Sequence, residues 1–463
     1  MKRGRSSLGE PAVLLLSLVA FCSILSTAQS LRSVPAIDFY QFWVVGREVA
    51  AGSPGNIYSD SERRRIGREA LRQAREAGDA SRIRTGRHRV VLETFSTPFL
   101  YSVFGALSSG NHDRDLLVFR VLGIVLLGVS VAGLCAFLGH GPVAMIAAVL
   151  VFVSWFAPTR SDLLVGNVNI LQLAWLVLFL WVSRRFPRRA GHFAGGLVLG
   201  SGAMFKPNTA LVIGLLAVAW LVRRRHEKLL FESIGIGVAV LVAFAWSSAV
   251  FGGFGIWWDW WQALSSLPDR IITVALGNYA PARLVEDWLG VDPAVAFGVL
   301  TSVLALVAIG QGLRSAGAPI GSPADRPDVE DLHVAALAGV MMLLSSPLAW
   351  LHYYVATIPL LLIALVPLPD GGIPARPHPA RALVLGPMRP WLAMAALIAI
   401  SMEPLELLGI GDGRERAIGL CLGTGLLFGI GLARLTGLQA LSGSEPASAA
   451  EKASDARAAG EGR

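Results

Sequence analysis

The sequence predicts an all-α membrane protein of about ten to twelve transmembrane helices, with a long first loop outside the membrane that carries short juxtamembrane helices. Three observations predict it. Hydrophobic residues are 54% of the 463 and charged residues only 16%, giving a mean hydropathy of +0.58, which is the composition of a membrane-embedded chain. The apolar residues are gathered into long runs, several approaching the ~20 residues that a helix needs to cross ~30 Å of hydrocarbon. Arginines cluster in short loops between runs, which marks the cytoplasmic side.

Taken in order, the first run, 11–31, follows Met1-Lys2-Arg3-Gly4-Arg5. It has the layout of a secretory signal with Ser26-Thr27-Ala28-Gln29-Ser30 as a poor cleavage site, yet an uncleaved first span fits better because so many spans follow. Runs at 116–138, 141–157 and 168–183 come next, and two shorter pieces, 193–204 and 208–222, flank Lys206-Pro207. The runs 231–251, 293–315, 333–347, 353–368, 390–410 and 415–437 complete the set. Residues 98–110 are too short to cross and are expected to lie along the outer face or dip into it. The chain has no repeat of fixed period. A membrane domain is expected over 1–437 and a disordered cytoplasmic tail over 438–463, since 442–463 lacks large apolar residues and cannot offset its ordering entropy by burial.

Orientation follows from two basic loops, Arg184-Arg185-Phe186-Pro187-Arg188-Arg189 and Arg223-Arg224-Arg225-His226-Glu227-Lys228. With these and the N-terminus inside, parity places 32–115, 158–167, the Lys206 turn, 252–292, 345–354 and 403–414 outside. The first outer loop, 32–115, carries many arginines between 59 and 89, but long loops translocate regardless of charge. Within it 61–77 reads as a solvated surface helix, with contact to anionic headgroups as the alternative. The net charge of +8 is accounted for by these loops, so no nucleic-acid partner is implied. Cys22, Cys135 and Cys421 lie in apolar runs without metal-ligand spacing.

The polar residues that look out of place near hydrocarbon collect in the outer segments. Asp38, in Ile37-Asp38-Phe39-Tyr40-Gln41-Phe42-Trp43, is a carboxylate among aromatics just beyond the first run, well placed to work on a lipid-borne substrate. The competing role is to cap a helix over 39–51. Asn167 and Asn169 enter a leucine-rich span. Lys206 is the only lysine between Lys2 and Lys228, a compact ammonium suited to a phosphate or a snorkelling interfacial lysine. Ser345 to Tyr354 breaks an apolar stretch, which requires a cavity or protein partner around it. There His352 is a candidate to orient a phosphate or sugar hydroxyl, against an interfacial belt of Trp350, Tyr353 and Tyr354. The tryptophans of 251–289 read as an aromatic belt ahead of a sugar-stacking face, with Asn278, Arg283 and Glu286 able to add polar contacts. No Walker A sequence, Rossmann fingerprint or His-Glu-x-x-His is present, which disfavours a soluble nucleotide-sugar donor; no metal or cofactor is called for.

Taken together, Asp38 to Trp43 leading to Gly52 and Tyr58, Thr97-Pro98, Gly166-Asn167-Val168-Asn169, Phe205-Lys206-Pro207 and Ser346 to Tyr354 resemble the GT-C glycosyltransferases. The closest likeness is to the polyprenol-phosphate-mannose-dependent alpha-mannosyltransferases, glycosyltransferase family 87, over roughly 11–437. Departures are Asn167 where many relatives have Gln, Leu351, and the long arginine-rich loop 59–91. The resemblance implies a GT-C fold in the plasma membrane and Asp38 as catalytic base on the extracytoplasmic face. It implies Lys206 and His352, then Arg160 and Arg283, at the donor phosphate, and Tyr40, Asn167, Asn169, Trp350 and Tyr353 at the acceptor or sugar. The implied reaction is inverting transfer of a hexose, mannose above others, from a polyprenyl-phosphate donor to a glycan or glycolipid acceptor. A transporter or flippase of lipid-linked sugars is the rival, and a non-catalytic scaffold a third reading.

Overall fold

The computed structural model describes residues 10–52, 55–266, 273–274, 277–292, 294–296, 298–299, 302–303, 327–365, 388–401 and 413–442. In chain order the helices are α1 (Glu10–Ser33), α2 (Ile37–Ala50), α3 (Asp60–Glu76), α4 (Ala80–His88), α5 (Pro98–Leu107), α6 (His112–Phe137), α7 (Pro142–Ser154), α8 (Ala157–Val165) and α9 (Asn169–Arg185). There follow α10 (Arg188–Phe205), α11 (Thr209–Val222), α12 (His226–Val250), α13 (Gly255–Ser265), α14 (Pro281–Leu289), α15 (Pro327–Ser345), a 3-10 helix (Leu351–Thr357), α16 (Ile358–Leu365), α17 (Arg389–Ser401) and α18 (Gly413–Ser442). Among the described residues there is no strand, only an isolated bridge between Asn278 and Trp350.

The chain is an all-α membrane protein. Three of these helices are long and apolar enough to cross a bilayer: α6, α12 and the Glu415–Arg434 part of α18. α7 and α8, bent by 50° at their junction, make a fourth if they form one span. Other described helices fall short of that length or hydropathy: α11 and α17 are short, α9 ends in Arg184-Arg185 and α10 opens on Arg188-Arg189. Most of the expected 293–315 span, and all of the chain from 443 on, lie outside the described residues.

Two apolar cores divide the molecule. One, built on α6 to α11 and α15 to α18, packs Leu127, Phe156, Trp220, Met341 and Leu361 at 2% exposure or less. Within this bundle α10 and α12 approach with little between their backbones. A Cβ on Gly196 would lie 2.9 Å from the Glu232 carbonyl carbon, and one on Gly235 2.9 Å from Leu197 N. Small residues permit that approach where lipid supplies no hydrophobic drive between helices.

The second core belongs to the first loop: Phe39, Tyr40, Phe42 and Trp43 of α2 meet Ile57, Tyr58, Ile66, Leu92, Leu100 and Tyr101. The expected helix over 61–77 is α3, started by Ser59, whose Oγ accepts from Glu62 N. Its apolar stripe, Ile66, Ala70, Leu71 and Ala74, is buried and its arginines largely face out, which a helical period of 3.6 allows. The short 98–110 segment is α5, packed on α2.

The helix expected over 39–51 starts earlier. α2 begins at Ile37, its N-cap is Ala36, and no side chain caps it. Asp38 sits inside the first turn, so the capping role is excluded and its carboxylate is left for other partners.

Candidate active site

Asp38 lies where α2 meets four other segments. Its Oδ2 accepts from Asn167 Nδ2 at 2.7 Å and faces His352 Nε2 at 3.9 Å. Its Oδ1 faces Gln41 Nε2 at 3.4 Å and a terminal nitrogen of Arg89 at 3.6 Å. The side chain is 13% exposed, so it can still be reached. Gly166 makes the Asn167 contact possible. It ends α8 with φ +72, and a Cβ there would press on Phe39. Only glycine takes that left-handed turn freely while letting the chain pass so close to α2.

On the other side of Asn167 stands Lys206, at the turn between α10 and α11. Its ammonium donates to Asn167 Oδ1 at 3.4 Å and to Asn169 Oδ1, and lies 4.2 Å from the centre of the Tyr353 ring. Asn169 is in turn fixed by buried Asp162, whose Oδ1 accepts from Asn169 Nδ2 at 2.7 Å and whose Oδ2 accepts from Ile170 N at 3.2 Å. The broken stretch carrying His352 is pinned by buried Asn278. Its Nδ2 donates to the Pro347 carbonyl at 3.0 Å and its Oδ1 accepts from Ala349 N at 2.8 Å, which satisfies backbone that no helix satisfies.

Burial pushes the Asp38 carboxyl above the ordinary carboxylate range, and Arg89, Asn167 and Lys206 pull it part of the way back. Burial brings the Lys206 ammonium down to about 8 against the pull of Asp162 and Asp38. A carboxylate held close to the protonation threshold can take a proton from a hydroxyl. A half-buried ammonium within one amide of it can hold an anion.

The structure thus brings together Asp38, Asn167, Asn169, Lys206, His352 and Tyr353. It places Tyr40, Arg283 and Trp350 apart. Tyr40 is fully buried in the loop core, with its ring edge-on to His112. Arg283 pairs with Glu286 at 2.8 Å within α14. Trp350 pairs with Asn278 and covers Gly277. Arg160 is on α8, two residues from Asp162. Three residues join the site unforeseen: Gln41, Arg89 and Asp162. The chain also contains an Asp-x-Asp pair, Asp113 and Asp115, at the start of α6. Asp115 is already engaged there, accepting from Trp43 Nε1 at 2.9 Å and Ser109 Oγ at 2.6 Å, and no group of carboxylates, histidines and thiols among the described residues is arranged to hold a metal ion.

The model of glycosyltransferase family 87 matches residues 97–347, a stretch that takes in Asn167, Asn169 and Lys206 but neither Asp38 nor His352. Two curated proteins are similar. A polyprenol-phosphate-mannose-dependent alpha-(1-2)-phosphatidylinositol mannoside mannosyltransferase of Mycobacterium tuberculosis is 28% identical over 214 residues, 45% of this chain and 44% of that protein. Its namesake in Mycolicibacterium smegmatis is 29% identical over 232 residues, 48% of this chain and 46% of that protein. The chain thus spans about half the length of the relatives it matches. No solved structure matches.

Proposed function

The chain belongs to glycosyltransferase family 87, and from that premise we propose that it transfers a hexose, mannose first among them, from a polyprenyl-phosphate donor to a hydroxyl of a lipid-linked or envelope glycan. The single observation that carries the reading is the convergence of Asp38, Asn167, Lys206 and His352 from four separated segments onto one point.

In this reading Asp38 takes the acceptor hydroxyl proton as that oxygen attacks the anomeric carbon, so one C–O bond forms as the C–O bond to phosphate breaks. The polyprenyl phosphate leaves with the bonding electrons, and Lys206 stabilises its charge. Attack opposite the leaving group inverts a beta-linked donor to an alpha product. The work takes place in the plasma membrane with the site on the extracytoplasmic face, where the basic loops at Arg184 to Arg189 and Arg223 to Lys228 would leave it.

The test offers purified protein radiolabelled polyprenyl-phosphate-mannose and GDP-mannose separately, with a crude lipid extract as acceptor, beside Asp38→Asn. Transfer from the lipid donor alone, lost in the variant, is the expected result. Transfer from GDP-mannose, or transfer retained by Asp38→Asn, would overturn the donor class or the base.

A further inference from the structure

Asp38 is approached by charge from every side. On its own helix stands Gln41; from 89–93 come Arg89 and Glu93; from the turn between α8 and α9 comes Asn167, with Asp162 of α8 behind Asn169; from the turn after α10 comes Lys206. The 3-10 helix brings His352 and Tyr353, and α5 brings Tyr101. Of these, Arg89 is the one cation that reaches the carboxylate directly, 3.6 Å from Oδ1, and it also grips Glu93 at 3.1 Å. Its side chain is only 13% exposed and its Nε is buried with no hydrogen-bond partner.

The backbone under Arg89 is held rigidly. Arg63 Nε donates to the Leu92 carbonyl at 2.6 Å, Leu92 N returns a bond to the Arg63 carbonyl at 3.4 Å, and Glu93 N donates to Gln41 Oε1 at 3.2 Å. α3 lies against this strip so closely that a Cβ on Gly67 would come within 2.9 Å of the Arg89 carbonyl oxygen. Asp38, Gln41, Glu93 and Arg89 therefore form a closed ring of contacts, and the arginine-rich loop 59–91 is the scaffold that closes it.

We infer that Arg89 is a positioning residue for Asp38: its guanidinium clamps the carboxylates of Asp38 and Glu93 together and keeps the Asp38 oxygens aimed at the acceptor. When Asp38 takes a proton its charge is lost, and Arg89 retains Glu93 as counter-ion, so the proton is accepted without leaving an unpaired buried cation. The inference rests on the base role proposed above for Asp38.

The experiment follows the Asp38 carboxyl directly. Infrared difference spectra of the full chain in nanodiscs are recorded against pH, with Asp38→Asn subtracted, for wild type, Arg89→Gln, Arg89→Lys and Glu93→Gln. Transfer from polyprenyl-phosphate-mannose is followed in parallel. A cation at this distance holds a carboxyl down by about one pH unit or more. Arg89→Gln is therefore expected to raise the Asp38 midpoint by about that amount, and to cut kcat/KM about tenfold on the acid side while the alkaline plateau changes less. Glu93→Gln, which removes a neighbouring anion, is expected to move the midpoint the other way. Arg89→Lys keeps the charge but cannot bridge both carboxylates, so it restores most of the midpoint and less of the rate.

An unmoved midpoint in folded Arg89→Gln, or movement of both neutral variants in the same direction, would overturn the inference. If the midpoints move as expected and wild type transfers nothing from any lipid-linked donor, the clamp stands and the glycosyltransfer reading fails.

Discussion

Two buried ionic clusters lie at opposite ends of α10, a helix of 18 residues or about 27 Å, and they differ in how completely they are paired. At the N-terminal end Lys228 meets Asp331 at 2.6 Å, Trp220 donates to the same carboxylate at 2.9 Å, and Arg223 and Arg225 both close on Glu330. At the C-terminal end Asp38 has one short bond, to Asn167, and three contacts between 3.4 and 3.9 Å. In the closed cluster Lys228 pairs with Asp331, and Arg223 and Arg225 pair with Glu330, while neighbouring Glu232, sealed at 0% exposure, keeps Oε2 without a hydrogen bond. The open one holds Asp38, Arg89, Lys206 and His352 near one another with few short bonds between them. Burial alone therefore does not mark a site, nor does incomplete pairing alone; the candidate site combines incomplete pairing with access, for Asp38 is 13% exposed and Glu232 is sealed.

The sharpest way to break the comparison is to neutralise one carboxylate at each end. Asp38→Asn is expected to lower transfer by about 10²- to 10⁴-fold, the range for loss of a general base, while thermal stability holds or rises. The sign follows from burial. The folded state binds the Asp38 proton more tightly than the unfolded chain does, so stability is greatest below the ordinary carboxylate range and falls as pH rises through the raised folded value. At neutral pH the ionised group is a net cost, and an amide removes it. A thermal-shift measurement beside the transfer assay checks both halves. Retained transfer would move the base to Glu93, which shares Arg89 with Asp38.

Asp331→Asn should behave in the opposite way. It strands Lys228, which is 7% exposed, and is expected to cost about 3–5 kcal/mol of stability, with transfer per folded molecule unchanged. Replacing both, Lys228→Met with Asp331→Leu, should recover most of the loss. If Asp331→Asn instead lowered kcat in protein of normal stability, the N-terminal cluster would be functional and the contrast would collapse.

Lys206 sharpens the contrast within the open cluster. Lys206→Met removes the donor proposed for the phosphate, worth about 1.5–3 kcal/mol for a charged hydrogen bond, so kcat/KM for the lipid donor should fall about 10- to 100-fold. Lys206→Arg should not restore it, since a planar fork cannot replace a compact ammonium between two amides. Because the ammonium titrates at about 8, kcat/KM should also decline above that pH in wild type, and that alkaline limb should vanish in Lys206→Met.

Much of the candidate site was legible because unusual polar residues interrupted apolar runs: Asp38, Asn167, Asn169, Lys206 and His352 all lie at such breaks, where a polar group near lipid must be paired or face a cavity. What could not be read was facing and rank. Tyr40, two residues from Asp38, lies about 200° around α2 and so enters the loop core among its rings. Arg89 closes a run of ten arginines between 63 and 89; nothing in the sequence distinguishes it, and only the return of the chain under α3 brings it to Asp38. Asp162 was hidden because its partner, Asn169, lies seven residues on across a left-handed glycine.

The smallest expected effect concerns Tyr353, whose ring lies under the Lys206 ammonium. A desolvated cation over an aromatic face gains about 0.5–2 kcal/mol from the ring and not from its hydroxyl. Tyr353→Phe should therefore change kcat/KM by less than about twofold, whereas Tyr353→Leu should lower it about 2- to 30-fold and shift the alkaline limb to lower pH, since an ammonium that loses the ring's attraction gives up its proton more readily. The limb, read from rates between pH 7 and 10, separates two roles for the ring that a single rate cannot. If Tyr353→Phe proves as damaging as Tyr353→Leu, the hydroxyl touches substrate and Tyr353 belongs with Asp38. If only the leucine variant moves the limb, the ring's role is to keep Lys206 charged, and the open end of α10 is held open by aromatic contact where the closed end relies on ion pairs.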